Sequence, residues 1–217
     1  MLERTDWENA WDGLAVCAPA GLLAQLVACY SEPHRAYHTL QHLRECFLHL
    51  ESASSLAARL SEVQLGLWFH DAVYDTRAQD NEERSAAWAR ESLRAAGASS
   101  EAVERVHRLV MATRHDAVPE EPDARLLVDI DLSILGAGDE RFAEYEKQIR
   151  AEYSWVPETA YRQARTRVLA SFLERPSIYS TPRFRGLLEQ RARRNLSRSL
   201  EELNDRARDT RNDRSRE

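Results

Sequence analysis

Three short stretches of the chain carry residue types that could do chemistry at spacings that could bring them together. Tyr37–His42 reads "YHTLQH" and places His38 and His42 four residues apart, although the chain holds only seven histidines. On a helix, residues i and i+4 lie on one face, one turn apart. Residues 65–75, "LGLWFHDAVYD", interrupt the most apolar run of the chain with the adjacent pair His70 and Asp71. Residues 126–135, "LLVDIDLSIL", do the same with Asp129 and Asp131. A histidine pair at helical spacing is common on a solvated face and says little alone. Burying a charge or an unpaired polar ring among apolar residues costs several kcal/mol. One shared cation would remove the conflict at all three places.

The elements that must position these residues read as helices. Seven glycines and seven prolines are few breakers for 217 residues, and strand-like alternation is nearly absent. The periodicity predicts helices over about 20–30, 36–51, 59–75, a stretch ending near Gly97, one capped by Ser99 or Ser100, 139–153 and 158–174. Pro119 and Pro122 punctuate a loop before the third motif, and Thr181-Pro182 suits the start of a last long helix. The fold class expected is therefore all-α, a single helical-bundle domain over 1–196. The alternating arginines and acids of 197–217 are expected to form a charged, frayed or disordered tail.

Composition narrows the partners. A net charge of −6 argues against general affinity for nucleic-acid backbones. Lys147 is the only lysine, a bias that genome composition explains as readily as phosphate recognition does. No apolar run approaches the length of a membrane span, and the acidic start "MLERTDWENAWDG" lacks the core of a signal peptide. Cys17, Cys29 and Cys46, an odd number at no ligand-like spacing, are expected to be reduced buried thiols of a cytoplasmic protein. Trp7, Trp11, Trp68, Trp88 and Trp155 are expected to pack the core. No Walker loop or GxGxxG element is present, so nothing suggests a kinase, a P-loop NTPase or a dehydrogenase.

The order H…HD…D resembles the ligand pattern of the HD superfamily of metal-dependent phosphohydrolases. "YHTLQH" resembles the YHxxxH element of the cyclic nucleotide phosphodiesterases, and "DLS" (Asp131–Ser133) the segment carrying their last metal-ligand Asp. With "FHDAVYD", "DNEERSA", "DIDLSILG" and the C-terminal "IYSTPRF…ARRNL", the chain is similar to a bacterial family of predicted HD phosphohydrolases. The resemblance implies His42, His70, Asp71 and Asp131 as metal ligands and His38 as general acid. Asp129 competes with Asp131, since the two would point about 200° apart on a helix. The "DLS" match points to Asp131, and a helix N-terminal charge would account for Asp129.

Two imidazoles and two carboxylates suit Mn²⁺, Fe²⁺, Ni²⁺, Mg²⁺ or Zn²⁺, one or two ions per chain. Glu82 is the candidate to orient or deprotonate the attacking water. Glu83, Asp75 and Asp80 occupy the same region, and charge complementarity at a helix start explains all of them equally well. Arg35 and His115 are the candidate substrate contacts, with Arg193 and Asn195 behind them. His115 also lies where certain HD relatives add a histidine for a second metal, and a helix-terminal histidine is the plain alternative.

The activity implied is hydrolysis of a phosphate ester of a nucleotide or related small metabolite by metal-bound hydroxide. A phosphodiesterase acting on a cyclic nucleotide is the nearest alternative. A non-catalytic metal- or nucleotide-binding module and di-iron oxygen chemistry are the more distant ones. No membrane partner is expected, and a homodimer remains open.

Overall fold

The computed structural model describes residues 4–214, and the side chains of residues 6–205. The chain is all-α, as its helical periodicity implies: ten α-helices and three short 3-10 turns, with no strand among the described residues. It divides into two compact units, Met1–Asp131 and Leu132–Glu217. The histidines and acids of all three candidate motifs fall in the first, and the third stretch, 126–135, runs on into the second.

Seven helices build the first unit: α1 (Arg4–Asp12), α2 (Leu22–Cys29), α3 (Leu40–Ala53), α4 (Leu60–Phe69), α5 (Asn81–Ala95), α6 (Ser100–Met111) and α7 (Pro122–Asp131). Helix α4 is the hub, contacting α1, α3, α5, α6 and α7. Its sequence explains this position. Val63, Leu65, Gly66, Leu67, Trp68 and Phe69 are buried, so apolar residues cover it on nearly every side. Gly66 permits the close approach of α6 and α7, because a Cβ there would lie 2.6 Å from Leu127 Cδ1 and 3.2 Å from Leu109 Cβ. Trp68 anchors an aromatic cluster in edge contact with Trp7, whose ring also meets Trp11. Trp7, Trp11 and Trp68 are core residues as expected, and Trp88 is half-buried. Trp155, in the second unit, is 47 % exposed and does not belong to a core.

Caps set the helix limits. Gly97, at φ +82°, closes α5, with the Ala98 N–H reaching back to the Leu93 carbonyl. Ser99 Oγ then accepts from the Ala102 N–H to open α6. The start of α4 is capped from a distance, Asp123 accepting from the N–H groups of Ala58 and Arg59. Pro122 is the first residue of α7 rather than part of a loop, a position that its missing N–H suits. The buried Glu62 of α4 receives both Nε and an Nη of Arg105 on α6, each at 2.7 Å. Glu62→Ala would strand that guanidinium. Because Arg105 is about a quarter exposed and can turn to water, the expected loss is about 2–3 kcal/mol rather than the full penalty of a buried pair. Urea unfolding of the two proteins measures it.

The second unit holds a 3-10 turn at Leu132–Gly136 and helices α8 (Asp139–Glu152), α9 (Glu158–Glu174) and α10 (Pro182–Arg214). The segment from Pro176 to Leu196 is absorbed in holding it together. Glu189 accepts from the N–H groups of Ile178 and Tyr179 and from Ser177 Oγ. Arg193 donates to the carbonyls of Leu173, Arg175 and Pro176. Asn195 donates to Leu135 and Ala137, and the Tyr179 hydroxyl to Leu132. Arg193 and Asn195, read above as potential phosphate contacts, are thus engaged with backbone carbonyls. Helix α10 carries residues 197–214 of the expected tail, and residues 215–217 lie outside the described residues.

Candidate metal centre

The first histidine motif departs from its expected helix. Thr39, extended at φ −117° and ψ 179°, accepts the Gln41 N–H on its side chain and starts α3 at Leu40. His38 therefore precedes the helix and does not share a face with His42. It reaches the same region by another route. Its ring stacks on Tyr74 at 4.1 Å between centroids and stands 6.1 Å from the His42 ring. The cause is local, since a threonine at an N-cap offers the backbone a better bond than another turn of helix does.

The His-Asp pair also lies outside its expected helix. Helix α4 ends at Phe69, His70 is its C-cap, and a tight turn carries Asp71 to Val73. Every element of this turn is tied down. Tyr30, fully buried, donates its hydroxyl to the Trp68 carbonyl and accepts from the Asp71 N–H. Ser85 Oγ accepts from the Val73 N–H. Arg35 donates to the carbonyls of Asp71 at 2.6 Å, Ala72 at 3.0 Å and His38 at 3.3 Å, and to Glu32 at 3.0 Å. Its guanidinium lies against the rings of Tyr30 and Tyr74. The Arg35 side chain is wholly buried, with its donors spent on these carbonyls and on Glu32.

The donor atoms converge on one point. His42 Nε2 is 3.1 Å from His70 Nε2, 3.5 Å from Asp71 Oδ2 and 3.3 Å from Asp131 Oδ1. His70 Nε2 is 3.0 Å from Asp71 Oδ2 and 3.7 Å from Asp131 Oδ1. Two donors each about 2.1 Å from a single ion stand roughly 3.0–3.4 Å apart, depending on the angle between them. The tautomer agrees. His70 Nδ1 lies 2.7 Å from the Leu67 carbonyl, which can only accept, so Nδ1 carries the hydrogen and a neutral ring keeps a bare Nε2 facing the cluster. His42, Cys46, His70 and Asp131 form a buried group that could hold a metal ion, with all four ligand atoms within 4.8 Å of one another. Asp71 lies alongside, less enclosed than the histidines.

Asp131 ends α7, and Asp129 lies two residues back in the same last turn. That places Asp129 at the carboxyl end of the helix, not at the amino end where the dipole would favour it. Asp129 is fully buried, while Asp131 carries the short contacts within the cluster.

The electrostatics follow from this packing. Burial pushes the His42 imidazole down, but Cys46, Tyr37, Asp131 and Asp71 outweigh it and hold the ring well above its ordinary value. His70 is raised in the same way, against burial, by Asp71 and Asp131. Burial would raise the Asp71 carboxyl, yet His70, His38 and His42 keep it well below the usual range. Asp131 is lowered likewise, against burial, by His115, His42 and His70.

The remaining candidates surround this group unevenly. His115, in left-handed backbone after α6, meets Asp131 Oδ2 at 2.9 Å with its Nε2. Glu82, in the first turn of α5, is half-buried, and burial with Asp71 and Glu83 nearby pushes its carboxyl up. Glu83 instead pairs with Arg114. Asp75 organises its own loop with Arg77 and Asn81, and Asp80 lies 4.0 Å from Arg84. Cys46 was missed among the sequence motifs, although its distance from His42 on α3 equals the four-residue spacing of the histidine pair. Cys17 is exposed and Cys29 partly so, against the expectation that all three thiols are buried. No helix among the described residues is long and apolar enough to cross a membrane.

No family model, curated protein or solved structure matches this chain.

Proposed function

We propose that the chain is a metal-dependent phosphohydrolase of the HD type, acting on the phosphate ester of a nucleotide or similar small metabolite. The observation that carries the reading is the convergence of His42, His70, Asp71 and Asp131 at ion-sharing separations, with His70 Nε2 turned inward. These residues would hold a divalent cation. Such an ion, when bound, supplies Lewis acidity toward a phosphoryl oxygen and makes nearby water more acidic.

The protein's own groups supply the remainder. His115 holds Asp131 in place through its carboxylate, as outer partners of ligands commonly do. Glu82, half-buried and with a raised carboxyl, is suited to orient a water and take its proton. His38, only partly buried and kept in place by the Tyr74 ring, is positioned to deliver a proton to the departing oxygen. His38→Ala should leave metal content unchanged and slow turnover by roughly 10²- to 10⁴-fold for esters with poor leaving groups. Activated aryl phosphates, which need no proton on departure, should lose little. An equal loss on both kinds of ester would remove His38 from the acid role.

The reading itself is tested by loading chelator-stripped protein with Mn²⁺, Fe²⁺, Ni²⁺, Zn²⁺ or Mg²⁺ and assaying nucleotide and sugar monoesters beside cyclic and linear diesters. Turnover with at least one ion is expected, and the monoester-to-diester ratio separates the phosphodiesterase alternative. Tight metal binding with no hydrolysis of any ester would leave a binding module instead.

A further inference from the structure

Charge is segregated along this chain. Its total is −6, yet residues 183–198 of α10 carry six arginines and a single acid, Glu189. Side chains of this stretch border an open groove of about 450 Å³ on the outer side of the helix, among them Arg185, Arg191 and Arg194. Small-molecule sites run from ~300 to ~1,000 Å³. Two of the three guanidiniums are anchored at their backs. Arg191 donates through Nε to the Gly136 carbonyl, which leaves both Nη groups of its fork. Arg185 donates from Nη2 to the carbonyls of Tyr179 at 3.4 Å and Ser180 at 3.3 Å. Arg194 is exposed and makes no hydrogen bond or ion pair among the described residues. Glu189 also borders the groove, but its carboxylate is matched by Arg193 Nε at 2.8 Å and by the N–H groups of Ile178 and Tyr179. The charges of Arg185, Arg191 and Arg194 are therefore not cancelled. Between them lies Gly186, in ordinary right-handed helix, where a Cβ would meet nothing within 4 Å. Glycine weakens a helix relative to alanine, and neither packing nor backbone conformation calls for it here.

We propose that this groove binds a small anion of linked phosphates, the chain of a nucleoside triphosphate or of inorganic tripolyphosphate, over the bare floor at Gly186. Guanidinium forks match phosphate oxygens two at a time, and a fork already held by a backbone carbonyl loses less freedom on binding. Arg191 and Arg194 stand about 4.5 Å apart along the helix axis, and Arg185 about 9 Å back from Arg191. A lone phosphate engages one end of that row, whereas a linked chain reaches along it. Leu187, 62 % exposed, borders the same groove and offers an apolar surface to whatever the phosphates carry. The groove belongs wholly to the second unit and the four candidate metal ligands to the first, so the two sites share no residue.

The test is calorimetric titration of the full chain with tripolyphosphate at about 0.15 M salt, where weak surface attraction is screened. The protein is first stripped of metal, so that no ion in the first unit can take the phosphates. Saturable binding of one tripolyphosphate per chain is expected, with orthophosphate at least about tenfold weaker. Arg191→Gln/Arg194→Gln should weaken binding by roughly 10- to 100-fold. Arg44→Gln/Arg94→Gln, which removes the same charge from exposed positions of the first unit, should leave it unchanged. Gly186→Gln keeps every charge and fills the floor, and it too should weaken binding by roughly tenfold or more while Tm holds or rises. Should the arginine double variant fail to fold, Arg194→Gln alone gives the same reading, since that side chain has no partner among the described residues to lose. A nucleoside triphosphate that binds more tightly than tripolyphosphate, with the advantage lost in Leu187→Ser, would identify a nucleotide as the source of the phosphates. Equal binding would identify the phosphate chain itself. No saturable binding, or equal losses in the two arginine double variants with none in Gly186→Gln, would overturn the site. A single-stranded oligonucleotide that binds more tightly than either, with steep salt dependence, would overturn the small ligand in favour of a nucleic-acid backbone.

Discussion

Under the function proposed above, Asp131→Ala is expected to abolish metal binding and ester hydrolysis together while leaving most of the helicity. Asp131 touches both halves of the site, with Oδ1 at 3.3 Å from His42 Nε2 and Oδ2 at 2.9 Å from His115. Removing it takes away one donor and releases the histidine that braces it. The loss in affinity should exceed the roughly 10- to 100-fold that an outer partner alone is worth. Equilibrium dialysis against a metal buffer, with circular dichroism on the same samples, separates loss of the ion from loss of the fold. Full metal content in the variant would exclude Asp131 as a ligand.

The same residue governs how the metal-free protein responds to pH. His42 and His70 are raised in the folded state, so the stability they contribute is present at low pH and lost as pH rises through their raised values. Asp71 and Asp131 are lowered, so their contribution is present above the ordinary carboxylate range and lost as pH falls through their lowered values. The metal-free chain should therefore melt highest in the window between the ordinary carboxylate range and the ordinary imidazole value, and lose stability as pH climbs from there through the raised imidazole values. Asp131→Ala should flatten that maximum in a series of Tm measurements. Metal must displace protons from the same imidazoles, so its affinity should fall as pH is lowered.

Arg35→Ala is expected to be the most destabilising single change near the site, by about 3–5 kcal/mol. The guanidinium is wholly buried and donates to three backbone carbonyls, so its removal takes three hydrogen bonds from the turn. Two of the three belong to Asp71 and Ala72, and the third to His38. The loss should therefore reach the site as a drop in metal affinity of roughly 10- to 100-fold. Arg35→Lys should recover only part of either, because an ammonium cannot reproduce the planar fork that Arg35 sets beside Tyr30 and Tyr74. Urea unfolding and metal titration of the three proteins check both arms. A variant with unchanged metal affinity and a changed ester KM would return Arg35 to the substrate side.

Much of this protein was determined by its sequence alone. Helical periodicity with few breakers specified an all-α chain, and caps such as Ser99 and Gly97 acted locally, so they were legible residue by residue. His70, Asp71 and Asp131 were legible as candidates because each breaks an apolar run, and a buried polar group needs a partner. Tertiary structure decided what depends on residues far apart in the chain. His38 left its helix because Thr39 capped it, and only the packing of Tyr74 brought its ring back toward His42. Arg35 was legible only as a candidate phosphate contact or a solvated arginine, and its bonds to the carbonyls of the turn after α4 depend on residues 36 and 37 positions away. Cys46 looked like a buried thiol, because a lone cysteine has no pattern. Its place beside His42, His70 and Asp131 depended on which residues from α4 and α7 would face α3, and spacing within one helix cannot state which partners another helix will present.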